Sequence, residues 1–209
     1  MKKSNVFDDY ALEYDQWFDE HPLEYSLELR AIQELLPQQG VGIEVGAGTG
    51  RFTQPLGISL AVEPSEAMRK IAANRGIKVI EAVAEALPFN SSSYDFVLMM
   101  TTVCFLERPE VAFEEACRIL KSEGCIVLGI IDRQSRLGKK YEANRNTSKF
   151  YKDAHFYSVA EIKNKLLQSG FRDIKTVQVI LPGDNISGTD TEVKPGYGEG
   201  SFVALKACK

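Results

Sequence analysis

Three observations predict an α/β fold built on a mainly parallel, doubly wound sheet. Short apolar segments alternate with amphipathic helical ones through the middle of the chain. The segment 124–132, "GCIVLGIID", is apolar almost throughout, as a strand buried on both faces requires. Four glycines (Gly42, Gly46, Gly48, Gly50) crowd into the end of the first strand candidate and the turn after it, where ligands meet the backbone of an open sheet.

The elements follow in order. The first 36 residues read as helical, with Tyr25, Leu29, Ile32 and Leu36 on one face of a helix opened by Pro22 and closed by Pro37. Strands are expected at 41–45, 57–63, 77–80, 94–100 and 124–132. A helix after Pro64 takes Ser65 as its N-cap and ends before Gly76. Pro109 opens an amphipathic helix whose core face is Phe113, Ala116, Cys117 and Leu120. Ser158 and Glu161 form a capping box for a helix stopping at Gly170. Two late strands, around 172–181 and 199–207, have no helix between them and are free to pair antiparallel. A Gly/Asp/Pro-rich stretch separates them.

With 209 residues and no internal repeat, a single domain is expected. A net charge of −4 argues against a nucleic-acid partner. Neither a secretory signal nor an apolar run of about 20 residues is present, so a cytoplasmic protein without membrane contact is expected. Cys104, Cys117, Cys125 and Cys208 form no C-x-x-C pair and read as reduced thiols. His21 and His155 lie far apart in sequence, and no metal site is expected.

The glycine run is Glu44-x-Gly46-x-Gly48-x-Gly50, a spacing that lets backbone amides approach a ligand. A dinucleotide fingerprint would need glycine where Arg51 or Thr53 stands, which disfavours a nicotinamide oxidoreductase. Glu63, ending the second strand, is placed to accept both hydroxyls of a ribose.

Together, "IEVGAGTGRFT", "VEPSEAM", "AEALPFNSSSYDFVLMM" and "RILKSEGCIVLG" resemble, in order and spacing, the class I S-adenosylmethionine-dependent methyltransferases of the type 11 group. The resemblance implies a Rossmann-like sheet of seven strands in the order 3-2-1-4-5-7-6, its last-added strand antiparallel. It implies S-adenosylmethionine as cofactor and S-adenosylhomocysteine as product. Gly46, Ala47, Gly48 and Gly50 would line the methionine part, Glu44 its amino group, and Glu63 with Pro64 the ribose. The family's adenine-reading Asp is replaced by Val83, which leaves adenine to the backbone around Ala84, to Glu85 or to apolar walls. A module that binds the cofactor without catalysis is the alternative.

In-line methyl transfer needs a dry, orienting cage more than a charged catalyst, because a carboxylate beside the sulfonium would favour the ground state. Residues 1–37 are expected to form a helical lid over cofactor and substrate, with Tyr10, Tyr14 and Trp17 on one helix face. Tyr14 and Trp17 are expected as cofactor contacts and Tyr10 as a substrate contact. The same three rings would equally anchor that helix to the core. Residues 38–131 form the cofactor half, 132–158 a substrate-loop insertion, and 159–209 the closing helix and strands. The insertion mixes Arg133 and Arg136 with Tyr141 and other aromatics, which suggests a small acceptor bearing an anionic group. A solvated surface segment is its other reading. Thr101 and Thr102 are candidates for the methyl channel, and His155, Asp132 and Tyr157 for catalysis.

Overall fold

A computed structural model describes residues 6–181, 184 and 193–209. The start of the expected lid and most of the Gly/Asp/Pro-rich stretch lie outside the described residues.

The chain opens with α1 (Val6–Asp9), α2 (Ala11–Glu20) and α3 (Pro22–Leu35). Five parallel strands follow: β1 (Gly42–Val45), β2 (Leu60–Val62), β3 (Lys78–Ile80), β4 (Tyr94–Met100) and β5 (Leu120–Ile131). Between them stand α4 (Glu66–Asn74) and α5 (Pro109–Ile119); α6 (Arg136–Ala143) and α7 (Val159–Gln168) come next. The last strands are β6 (Arg172–Val179), β7 (Val193–Pro195) and β8 (Phe202–Cys208).

Across the sheet the order is β3-β2-β1-β4-β5-β8-β6-β7. The expected seven-strand order is present, with β8 running antiparallel between β5 and β6. The addition is β7, three residues paired to the outer edge of β6.

The buried residues of β5 alternate between two cores. Ile126, Leu128 and Ile130 join Phe113 of α5 and Ile162 of α7 on one side. Cys125 and Val127 join Leu27 and Ile32 of α3 on the other. Phe113 and Phe202 are fully buried, and each such ring contributes on the order of 2–3 kcal/mol through the area it removes from water.

Local signals read from the sequence reappear as geometry. Ser65 caps α4 by accepting from Met68 N–H at 3.2 Å, and Ser158 with Glu161 closes the capping box of α7. Two helix faces turned out rotated. In α3 the buried side is Leu27, Glu28, Ala31, Ile32 and Leu35, with Tyr25, Leu29 and Leu36 on its margins. In α5 it is Ala112, Phe113, Ala116 and Ile119; Cys117 is only half-buried and Leu120 already belongs to β5. Both stripes are wide, so an apolar residue at the rim shares the periodicity of the centre.

Candidate active site

The glycine turn leaves the end of β1 and is tied to β2, because Gly46 and Ala47 N–H both donate to Val62 O at 2.8 and 3.1 Å. Gly46, Gly48 and Gly50 all have left-handed backbones, with φ of +75°, +55° and +81°. A Cβ at Gly46 would lie 2.4 Å from the Thr102 methyl, and one at Gly50 would lie 2.3 Å from Ile77. At Gly48 it would meet the Tyr14 ring at 3.5 Å, an ordinary contact. Two glycines thus permit close packing beneath the turn, and the third faces the lid.

This packing reassigns Thr102. Its hydroxyl donates to Met100 O at 3.0 Å and reaches Gly46 O at 3.2 Å, so it braces the turn from below rather than facing a methyl channel.

Two acids end neighbouring parallel strands beside the turn. Glu63 accepts from Gly48 N–H at 2.9 Å and Ser65 N–H at 2.8 Å. Burial raises its pKa, partly offset by those two donors. Glu44 is almost wholly buried and is pushed up to about 8 by desolvation, against the bond it accepts from the Thr53 hydroxyl and with the charge of Glu63 adding to the rise. Pro64 O and Glu63 O are held by the Arg69 guanidinium at 2.7 and 3.0 Å. Farther along, Val83 bridges to Ala86, with Val83 exposed and Ala84 buried at the tip. Glu85 accepts from Arg108 N–H at 3.3 Å, which gives its carboxylate a structural partner.

Arg51, the residue that breaks the dinucleotide pattern, ties α2 to the glycine turn. Its guanidinium grips the Asp15 carboxylate at 2.9 Å and that of Asp19 at 2.7 Å, both from α2. Arg75 adds a second contact to Asp15 at 2.9 Å, and the Tyr25 hydroxyl donates to Arg51 O. Burial alone would raise the Asp15 pKa, but the bonds from Arg51 and Arg75 outweigh it and hold the acid at about 2. The depressed value makes the pair stabilising above about pH 4, the unfolded value, with loss as pH falls through the folded one. Comparison with Asp15→Asn by urea unfolding should therefore show a stability gap that is full at pH 5 and mostly closed near pH 2.

The N-terminal helices meet the 132–158 segment over a cavity of about 340 Å³. Lys149 bonds Glu13 at 2.6 Å and lies 4.3 Å from the Tyr10 ring centre, and Phe150 packs against Phe7 and Tyr14. Tyr14, Trp17, Phe52, Phe105, Tyr141 and Tyr151 supply most of the wall. His21, Glu24, Glu28, Thr101 and Lys140 also line it. At the other end of α1, Asp8 accepts from Ser65 Oγ at 2.6 Å, so the lid also rests on the cap of α4.

The sequence-derived candidates divide. Tyr14, Trp17, Thr101 and Tyr141 come together on the cavity. Tyr10 does not: it precedes α2 as its N-cap residue, is 42% exposed, and serves as the platform for Lys149. Arg133 is held by Glu161 at 2.9 Å, and Arg136 opens α6 without lining the cavity. Asp132 turns its carboxylate back to Gln134 N–H at 3.0 Å. His155 donates its backbone N–H to Cys104 O at 2.7 Å and packs its ring on Tyr157. Tyr157 borders a separate apolar void of about 20 Å³. Sequence reasoning did not bring His21, Glu24, Glu28, Phe52 or Phe105 to the cavity, nor give Arg51 its partners. For Glu28 a signal existed, since it recurs with Ile32 and Leu35 at helical spacing on an otherwise apolar face.

Residues 43–128, which include β1, the glycine turn, Glu63 and β4, match the methyltransferase domain family. An uncharacterized protein of Methanocaldococcus jannaschii is 50% identical over 206 residues, covering 98% of this chain and 99% of its own. A crystal structure from Thermotoga maritima, described as a SAM-dependent methyltransferase and possible histamine N-methyltransferase, is 45% identical with a TM-score of 0.93 and covers 98% of both chains. The chain belongs to the class I S-adenosylmethionine-dependent methyltransferases. Within that family a malonyl-[acyl-carrier protein] O-methyltransferase of Methylococcus capsulatus is 26% identical over 158 residues, 70% of this chain and 57% of the relative. In this methyltransferase no helix of the described residues is long and apolar enough to cross a membrane, and no cluster of metal-ligating side chains occurs among them.

Proposed function

We propose that the protein transfers the methyl group of S-adenosylmethionine to a small-molecule acceptor held in the aromatic cavity. The observation that carries this reading is the position of Tyr14. Its ring lies against Gly48 of the turn and also lines the cavity, so a ligand on the turn and one in the cavity would meet there. Burial, together with the charges of Glu63, Glu28 and Glu44, raises the pKa of its phenol and keeps it protonated.

The donor set suits the cofactor. Glu63 offers carboxylate oxygens to ribose hydroxyls, Glu44 offers a buried acid near the amino group, and the left-handed turn brings main-chain groups within reach of both. When bound, S-adenosylmethionine supplies a methyl group on a positively charged sulfur. The residues around the cavity would orient the acceptor and exclude water, which is where most of the acceleration would arise. Tyr14, Trp17 and Phe105 present faces and edges that favour positive charge without pinning it as a carboxylate would.

Charge around the cavity favours a cationic over an anionic acceptor. Among the described residues Glu24 and Glu28 face it with Lys140 as the one lysine on its wall, and Arg133 is already paired to Glu161. The Thermotoga maritima relative, described as a possible histamine N-methyltransferase, supports nitrogen as the accepting atom. Four free cysteines suit a reducing cytoplasm. Calorimetry with S-adenosylmethionine, S-adenosylhomocysteine and NAD tests the first half of the proposal; saturable binding of the first two alone is expected. Methyl-labelled cofactor with histamine and a panel of small amines, alcohols and carboxylates tests the second. Cofactor binding with no label passed to any small molecule in metabolite extracts would favour a non-catalytic module.

A further inference from the structure

We propose that Glu28 is the acceptor-binding and proton-accepting residue of the cavity, and that the acceptor is an alkylamine carrying an aromatic or heteroaromatic ring, which arrives as its ammonium ion. The inference rests on the methyltransferase reading above and adds to it a residue, a charge state and a chemical class.

Glu28 comes from the buried face of α3, is 6% exposed, and opens onto the cavity. Its carboxyl group has no hydrogen bond or ion pair with a described residue, whereas the two acids beside the glycine turn do: Glu44 has Thr53, and Glu63 has two backbone donors. A buried acid left without a partner costs stability unless something else satisfies it. The space beside it is walled by aromatic rings, a lining that fits a flat ring on one side and a cation on the other.

The groups facing Glu28 come from every packed element: Tyr14 and Trp17 from α2, His21 from the α2–α3 junction, Glu24 from its own helix, Lys140 and Tyr141 from α6, and Tyr151 from the following segment. Desolvation first, and then the nearby Glu24 charge, push the Glu28 acid up to about 8. That places its proton affinity within reach of an aliphatic amine near neutral pH. His21 is turned away from this duty, since Nδ1 is bonded to Trp17 O at 2.9 Å and its ring is stacked on Trp17.

The step balances as follows. Mostly protonated at pH 7 in the empty cavity, Glu28 gives its proton to solvent as the ammonium ion enters beside it. The carboxylate so formed takes one proton from that ion, leaving a neutral amine with a free electron pair. That pair forms the new C–N bond while the C–S bond of the sulfonium breaks, its electrons passing to sulfur and leaving a neutral thioether. The methylated nitrogen carries the positive charge away, and Glu28 keeps its proton until the next ammonium ion enters, so one proton is released in each turnover.

The test uses the lone tryptophan, Trp17, whose position in the cavity makes its fluorescence a direct reading of occupancy. The probes are 2-phenylethylamine, 2-phenylethanol and 3-phenylpropionate, titrated into wild type and Glu28→Gln with S-adenosylhomocysteine present. Wild type should bind the amine at least tenfold more tightly than either other probe, and Glu28→Gln should lose that preference. In turnover with an accepted amine, Glu28→Gln should lose roughly 100-fold in kcat/KM at pH 7, with the deficit shrinking as pH approaches the pKa of the amine. Glu28→Asp should recover part of it. Equal binding of the three probes, absence of saturable amine binding, or an unchanged preference and pH profile in Glu28→Gln would overturn the assignment. Cofactor affinity measured on the same samples by calorimetry separates these outcomes from failure of the methyltransferase reading, because Glu28 lies outside the glycine turn.

Discussion

Glu63→Ala should weaken S-adenosylmethionine binding by about 100-fold, the loss expected when two hydrogen bonds to a charged group disappear at roughly 1.5 kcal/mol each. The side chain has a second duty, because it holds Gly48 N–H and Ser65 N–H and so fixes the turn relative to the start of α4. Glu63→Gln separates the two. It retains an acceptor for the turn and gives up the charge, so its affinity should fall by about tenfold. Isothermal calorimetry reads the affinities and circular dichroism checks the fold. Binding within threefold of wild type in both variants would remove Glu63 from the cofactor site.

Arg51→Ala is expected to lower stability by about 2–3 kcal/mol and the melting temperature by roughly 4–12 °C. The substitution strands Asp15, which is largely buried, with only Arg75 for company. Asp19 is exposed at the surface and should lose little by itself. Because the pair fastens α2, which carries Tyr14 and Trp17, the acceptor KM should rise several-fold while cofactor affinity changes less. Arg51→Lys keeps the charge but loses the planar fork, and should fall between. A melting point within 1 °C of wild type together with an unaltered KM would show that Arg51 does not hold α2 in place.

The fold and the glycine turn were legible in the sequence to a different depth than the aromatic cavity, and the reason is sequence separation. Strand–helix alternation, the cap at Ser65 and the capping box at Ser158 are each decided within a few residues, so local chemistry reveals them. The glycine turn was legible for the same reason, although its residues serve two purposes: Gly46 and Gly50 yield to Thr102 and Ile77, and only Gly48 faces the lid.

Partner choice across the chain was not legible. Arg51 pairs with residues 36 and 32 positions away, and Lys149 reaches Glu13 over 136. The basic residues of the 132–158 segment read as ligand-seeking because their acidic partners, such as Glu161 for Arg133, are interchangeable with any other surface acid in a one-dimensional reading. Tyr10, Tyr14 and Trp17 share helical spacing, yet α2 begins only at Ala11, which swings Tyr10 out of the stripe. Glu28 stood in the predicted helix one position from the predicted face. A charged residue there reads as solvated until the opposite wall of the cavity is in place.

The position of β8 has a kinetic consequence. Phe202–Cys208 wedges between β5 and β6, so the segment synthesised after all other strands is the keystone between the two halves of the sheet. Before it emerges from the ribosome, β6 has only the three-residue β7 beside it, and the edge of β5 stands open with its apolar rows unmatched. Joining contacts so distant along the chain is intrinsically slow, and the waiting intermediate is the one prone to aggregate. Yield of active protein should therefore depend on how quickly nascent chains capture this closing strand, and chaperones that shield β5 would raise it.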